Sequence, residues 1–227
     1  MLQTSGTTRH PGSMAVILRN IARKRSLTRS IAFRTVNYEP VDWNEIAAPV
    51  EKTMRPPDYK DSLEIDGKPV TIRTMQPSDR DIEQQFIRGL SPLSRYYRFH
   101  SALRELSPYM LDRFTHVNYP DEMALIATVP EGNEEHEIGV ARYARNPGVD
   151  RAEIAVVVAD AWQGKGIGLR LLTDLSRLAR DAGIKHLEAS ILWGNKRMQG
   201  LAQTLGFTVR PVKPGNGHTL ELEKDVE

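Results

Sequence analysis

From Leu63 onward, apolar residues recur in short blocks whose spacing alternates between two positions and three to four, and these switches divide the chain into elements. Leu63-Glu64-Ile65 and Val70-Thr71-Ile72 alternate apolar and polar residues around Asp66-Gly67, a preferred tight-turn pair, and predict two short strands. Ser78 fits the N-cap of a helix over residues 79–89, which Gly89 can stop. Ser91-Pro92 and Ser107-Pro108 each repeat the signature of a cap and a first-turn proline, predicting helices through Tyr97 and Phe114. Residues 123–129 and 138–143 read as strands, with a polar loop over 132–136 between them. Residues 153–158 are a continuous apolar run led by one acid, as expected for a strand buried on both faces. The clearest helix follows, its face marked by Ile167, Leu171, Leu172, Leu175, Leu178 and Ala179, with Gly183 as terminator. Residues 184–192 then predict a strand, Asn195 the cap of a shorter helix to Leu205, and residues 207–212 and 219–222 two closing strands. Helices on both faces of a mixed sheet are the natural packing for this order.

Residues 1–60 differ in kind. They carry Pro11, Pro40, Pro49, Pro56 and Pro57 and show no sustained period beyond residues 14–25, so they read as a tail and linker ahead of one domain at 61–227. The net charge of +2 hides an asymmetry: residues 1–38 hold seven Lys or Arg and no acid, leaving 24 basic against 29 acidic residues in the remainder, net −5. The basic balance therefore belongs to the N-terminal extension, and nucleic-acid binding by the main body gains no support from it. A cleaved targeting peptide shares this composition, but a plain, loosely ordered basic extension is the preferred reading. No apolar run approaches the ~20 residues needed to cross a bilayer, so no membrane partner is expected. With no cysteine, disulfides, thiolate metal sites and a cysteine nucleophile are excluded, which fits a cytoplasmic protein. The six histidines show no metal-ligand spacing, and no metal is expected.

The chemistry is concentrated in Gln163-Gly164-Lys165-Gly166-Ile167-Gly168, which joins the buried strand to the amphipathic helix. A helix N-terminus exposes unpaired N–H groups and a partial positive charge, and glycines let an anion approach them. Lys165 and Arg170 add cationic charge nearby. A Walker A loop would need Ser or Thr after Gly-Lys, and the glycines at 164, 166 and 168 do not match the dinucleotide fingerprint.

Gln163, Gly166 and Gly168 do fill a Gln/Arg-x-x-Gly-x-Gly/Ala loop. With Glu153 ten residues upstream, Asn195 at the next strand-to-helix junction and Gly206-Phe207 beyond it, the chain resembles the GNAT superfamily of N-acetyltransferases over about residues 68–223. Residues 91–99, 115–119, 123–125 and 139–143 are similar to stretches of bacterial protein lysine acetyltransferases. The resemblance implies an α/β (α+β) fold, a mixed and mostly antiparallel central sheet with helices on both faces. It implies acetyl-CoA as co-substrate, its pyrophosphate on Gln163, Gly164, Lys165, Gly166, Ile167 and Gly168, with main-chain contacts from Val156, Val157 and Val158 and an amide from Asn195. A primary amine, foremost a protein lysine, would be the acceptor, and an acyl-CoA synthetase the first partner to try. A small-molecule amine acetyltransferase and a non-catalytic acyl-CoA sensor share these features.

An alkylamine of pKa about 10.4 must lose a proton before it attacks a thioester, and Glu153 is the candidate general base. Burial beside Ile154 and Val157 would raise its basicity; alternatively it is a strand-end carboxylate paired with Arg151 or Arg142. Relatives often place a tyrosine general acid where this chain has Ala202; Tyr143 is a second candidate. Asn195 as a cap alone would also explain its presence.

Overall fold

The structure, a computed structural model, describes residues 56–146, 148–211 and 219–226. The basic extension before Pro56 and the end of the strand predicted to reach Val212 lie outside these residues. Eight strands form one sheet: β1 (Lys60–Ile65), β2 (Lys68–Thr74), β3 (Glu122–Glu131), β4 (Glu134–Ala144), β5 (Arg151–Val158), β6 (His186–Leu192), β7 (Thr208–Pro211) and β8 (Thr219–Asp225). Their order across the sheet is β1-β2-β3-β4-β5-β6-β8-β7. Neighbours run antiparallel except β5 and β6, which are parallel.

Five helices cover the sheet: α1 (Arg80–Gly89), α2 (Pro92–Phe99), α3 (Pro108–Thr115), α4 (Ile167–Asp181) and α5 (Lys196–Thr204). Side chains alternate across a strand, so each central strand feeds two cores. Met123, Leu125 and Ala127 of β3 join Leu171, Leu175 and Ala202 of α4 and α5 on one face. Ala124 and Ile126 join Phe86, Phe99 and Phe114 of α1, α2 and α3 on the other. Every apolar residue that marked the α4 stripe is buried. Two of the three serine caps hold, Ser91 Oγ accepting from Ser94 N and Ser107 Oγ from Met110 N, whereas Ser78 lies inside a 3-10 turn over Pro77–Asp79 and Asp79 takes the N-cap of α1.

Element ends differ where polar residues are paired on an exposed face. The expected loop over 132–136 is a tight turn at Gly132, and Glu134, Glu135 and His136 are already paired with β3. β8 likewise continues past Leu222 through Glu223 and Lys224 to Asp225, each paired with β6. The expected start of β6 at Ile184 shifts to His186, because the N–H groups of Lys185 and His186 both go to Asp150 O. The polar residues at the ends of β4 and β8 carry no apolar alternation to read.

Candidate active site

β5 is paired with β4 from Glu153 to Val158, but with β6 only through Arg151↔His186, Ala152↔Leu187 and Glu153↔Glu188. Beyond Glu153 the two parallel strands part, and the edge of β5 that faced β6 loses its ladder partner. A cavity of about 790 Å³ opens in the gap. One wall is residues 153–158 of β5 and the other residues 189–191 of β6; α2 contributes Ser94, Tyr97 and Arg98, His100 follows at its C-cap, and the far end is the loop into α4. The backbone groups along the parted edge are obligatory donors and acceptors available to a long, flexible ligand.

At the far end the chain turns through Gly164 (φ 79°) and Gly166 (φ 87°), left-handed values that a side chain rarely adopts. Gly166 caps α4 with no side-chain hydrogen bond, and the first helical bond runs from Arg170 N to Gly166 O at 2.9 Å. The amides just ahead of Arg170 therefore have no helical acceptor, which suits them to an anion. A Cβ on Gly168 would meet Leu201 Cδ2 at 3.3 Å, so a glycine there lets α5 approach the loop. The two cations expected nearby already have partners. Lys165 Nζ lies 2.6 Å from Asp66 Oδ2 in the β1–β2 turn. Arg170 binds Asp61 of β1 and, at 2.7 Å, Asp174 of its own helix; Tyr59 first, then these carboxylates, hold its pKa above the usual value.

Of the residues singled out in the sequence, Glu153, Val156, Val157, Val158, Gln163, Gly164, Gly166, Gly168 and Asn195 all line this one cavity. Lys165 and Ile167 do not: Lys165 turns to Asp66, and the Ile167 side chain is buried in the core. Gln163 spends its amide internally, donating to Val158 O at 2.9 Å and Ser94 Oγ at 3.1 Å and accepting from Arg197. Asn195 Oδ1 caps α5, accepting from Met198 N at 3.1 Å. Glu153 is 8% exposed, at the point where the strands part. Of the two arginines named as alternatives, Arg151 lies 3.1 Å from Glu188 and Arg142 3.7 Å from Glu83. Among the described residues no helix is long and apolar enough to cross a membrane, and no cluster of His, Asp and Glu could hold a metal ion.

The family model of the acetyltransferase (GNAT) domain matches residues 70–208. The chain belongs to the GNAT acetyltransferase family. It is 37% identical over 142 residues to an acetyltransferase of Pseudomonas aeruginosa, covering 63% of this chain and 76% of that one. Its structure is similar to the GNAT domain of S. lividans PAT, with TM-score 0.66, 28% identity, and 73% and 96% of the two chains covered. It shares its fold with a Salmonella typhimurium acetyltransferase solved with its cofactor acetyl-CoA, at TM-score 0.52 and 22% identity over 70% of this chain and 94% of that one. Acetyl-CoA-dependent N-acetyl transfer is thus the reaction class of the chain.

Within this GNAT site, two expectations change. Tyr143 is buried on the far side of β4 with its hydroxyl on Pro120 O at 3.2 Å, and burial raises its pKa, so it does not face the cleft. The phenol that does is Tyr97 of α2, whose hydroxyl donates to Gly194 O at 3.1 Å across the cleft mouth. The Ser91-to-Ser94 stretch also gains a role. Asp160 accepts from Ser91 N (2.9 Å), Ser91 Oγ (2.8 Å) and Ser94 Oγ (2.7 Å), tying the start of α2 to the strand end that leads into the loop. Burial works against the Asp160 carboxylate, but these hydrogen bonds prevail and hold its pKa below the usual value. Only the serine caps of this network were visible in the sequence, because Asp160 lies 66 and 69 positions from its partners.

Proposed function

We propose that the GNAT site transfers acetyl from acetyl-CoA to the ε-amine of a protein lysine, with Glu153 as general base. The observation that carries this reading is the placement of a buried carboxylate where β5 and β6 separate, with an uncapped helix N-terminus at the other end of the same cavity. The amides of residues 164–168 would hold the pyrophosphate, and the freed edge at Val156, Val157 and Val158 the pantetheine arm and the acetyl oxygen. The thioester supplies an activated acetyl group; the chain supplies alignment and proton transfer. With Oδ1 of Asn195 engaged as a cap, its NH₂ group is the part left to meet the ligand.

Glu153 would take a proton from the acceptor ammonium, directly or through a water, as the amine attacks the carbonyl. Tyr97 replaces Tyr143 as the phenol that could meet the departing thiolate. A thiol of pKa near 8.5 also leaves as an anion, so this acid is an aid rather than a requirement. The lysine acceptor draws on the 28% identity with the S. lividans PAT domain and on the stretches around Arg95 and Arg98 in α2.

The test pairs two assays on one preparation. Acetyl-CoA with a bacterial lysate, including purified acyl-CoA synthetase, is followed by mass spectrometry of acetyl-lysine; thiol release is measured against a panel of free amines. Acetylation of a few defined lysines without free-amine turnover supports the reading. Turnover of a free amine at a rate well above any protein lysine would replace it with a small-molecule acetyltransferase.

A further inference from the structure

Behind Glu153, on the side of the sheet covered by α1, α2 and α3, lie four more buried ionisable groups to which acetyl transfer by Glu153 gives no role. They are Glu83 of α1, Arg98 of α2, and Glu137 and Arg142 of β4. They are in mutual reach. Arg142 Nη2 is 3.7 Å from Glu83, its Nη1 donates to Phe114 O at 3.3 Å, and its guanidinium lies 4.3 Å over the Phe114 ring. The Glu137 carboxyl lies close enough to Glu83 and Arg142 to feel both charges, and neither of its oxygens has a hydrogen-bond partner among the described residues. Arg98 joins this group to the cleft: it lines the cavity with Glu153, and both Glu83 and Glu153 attract it.

We infer that Arg98, backed by the Glu83, Glu137 and Arg142 cluster, is a positioning residue that keeps Glu153 an ionised carboxylate facing the acceptor amine. The inference rests on Glu153 being the base. Its physical ground is a charge balance. Two neighbouring carboxyls held away from water resist ionising together. Burial first, then Glu83, push the Glu137 pKa well up, so Glu137 is the neutral acid of the pair. The groups that remain are two acids, Glu83 and Glu153, set against two bases, Arg98 and Arg142. Burial and the neighbouring Arg142 pull the Arg98 pKa down to about 9, which leaves it cationic at neutral pH.

The other cations that line the cavity, Lys196 and Arg197 of α5, donate to Gln199 and Gln163. His100 at the end of α2 has its pKa lowered by burial and by Arg98. Across the sheet, Glu188 of β6 is occupied with Arg151. From α3, Arg113 is bound to Glu122, and ahead of α1, Asp79 is bound to Arg73. The arrangement also resets itself. The proton that Glu153 takes from the ammonium leaves the buried cluster with one excess positive charge, which favours passing that proton to the departing thiolate or to water.

The readout is the acid limb of kcat/KM against pH, measured in the full chain with acetyl-CoA affinity and circular dichroism alongside. Removing the cation in Arg98→Met raises the Glu153 pKa, so the limb moves up by about one pH unit or more. Arg98→Lys returns it most of the way. Glu137→Gln exchanges a neutral acid for a neutral amide and leaves the limb in place. Glu83→Gln combined with Glu137→Gln, which stops Glu137 ionising instead, removes a negative charge and moves the limb down. Equal losses at every pH, or shifts of the same sign in Arg98→Met and the double variant, overturn the inference. Should Arg98→Met not fold, the double variant reads the same balance from the other side and decides alone. Glu153→Gln separates the two levels: an intact acid limb there defeats the base assignment itself, whereas lost turnover there with unmoved limbs elsewhere defeats only the role of Arg98.

Discussion

At residue scale, Gly166 shows how a single backbone angle prepares the loop. At φ 87° an alanine would cost about 1–2 kcal/mol, and it would crowd the amides that are to meet phosphate. Gly166→Ala is therefore expected to lower the midpoint of thermal unfolding modestly and to weaken acetyl-CoA binding by a larger factor, read by calorimetry on the same sample. Equal affinity in the variant would move the anion site elsewhere. Glu153, Gln163, Gly166 and Gly168 could be read from the sequence because their spacing is local. Tyr97 and Arg98 could not. They sit on an ordinary-looking amphipathic helix, and their neighbours Gly194, Glu83 and Glu153 are brought to them only by the fold.

At the scale of elements, the β1–β2 hairpin has a consequence for the loop that its sequence did not announce. Asp66 in its turn holds Lys165, and Asp61 in β1 holds Arg170. Asp66→Asn keeps a residue that tolerates the left-handed turn (φ 51°) and frees the lysine, so acetyl-CoA should bind a few-fold tighter at low salt. The gain should shrink at high salt, as an exposed ion pair requires. Unchanged affinity at low salt would mean that Lys165 does not reach the ligand. The join between α2 and the loop carries a pH signature. Asp160 has a folded pKa below its ordinary value, so its contribution is present above the unfolded pKa and lost as pH falls through the folded one. Wild type should accordingly exceed Asp160→Asn in stability at pH 7, with the gap closing as pH drops below about 4 in denaturant titrations. A gap that persists at low pH would assign the difference to packing. Helices α1 to α5 and the buried strands were legible as elements because amphipathic stripes and caps are local; the polar ends of β4 and β8 were not, because only pairing with β3 and β6 extends them.

At the scale of the whole molecule, one sheet buried on both faces fixes the frame, and the departure of β6 from β5 opens the cleft in it. The alternation of elements implied helices on both faces, but no pattern in the sequence tells where two parallel strands separate, since that depends on pairing between distant elements, such as β6 with β8. A ligand spanning the cavity should stabilise the fold by mass action, by about 2.7 kcal/mol at a hundredfold excess over Kd, visible as a rise in the unfolding midpoint. The most direct measurement is single-turnover acetyl transfer by Glu153→Gln beside wild type, with acetyl-CoA affinity determined for both. We predict near-equal affinity and a loss of about 10²–10⁴ in the transfer rate. Full-rate transfer by the variant would contradict the account, because the cleft would then do its chemistry without the carboxylate at its apex.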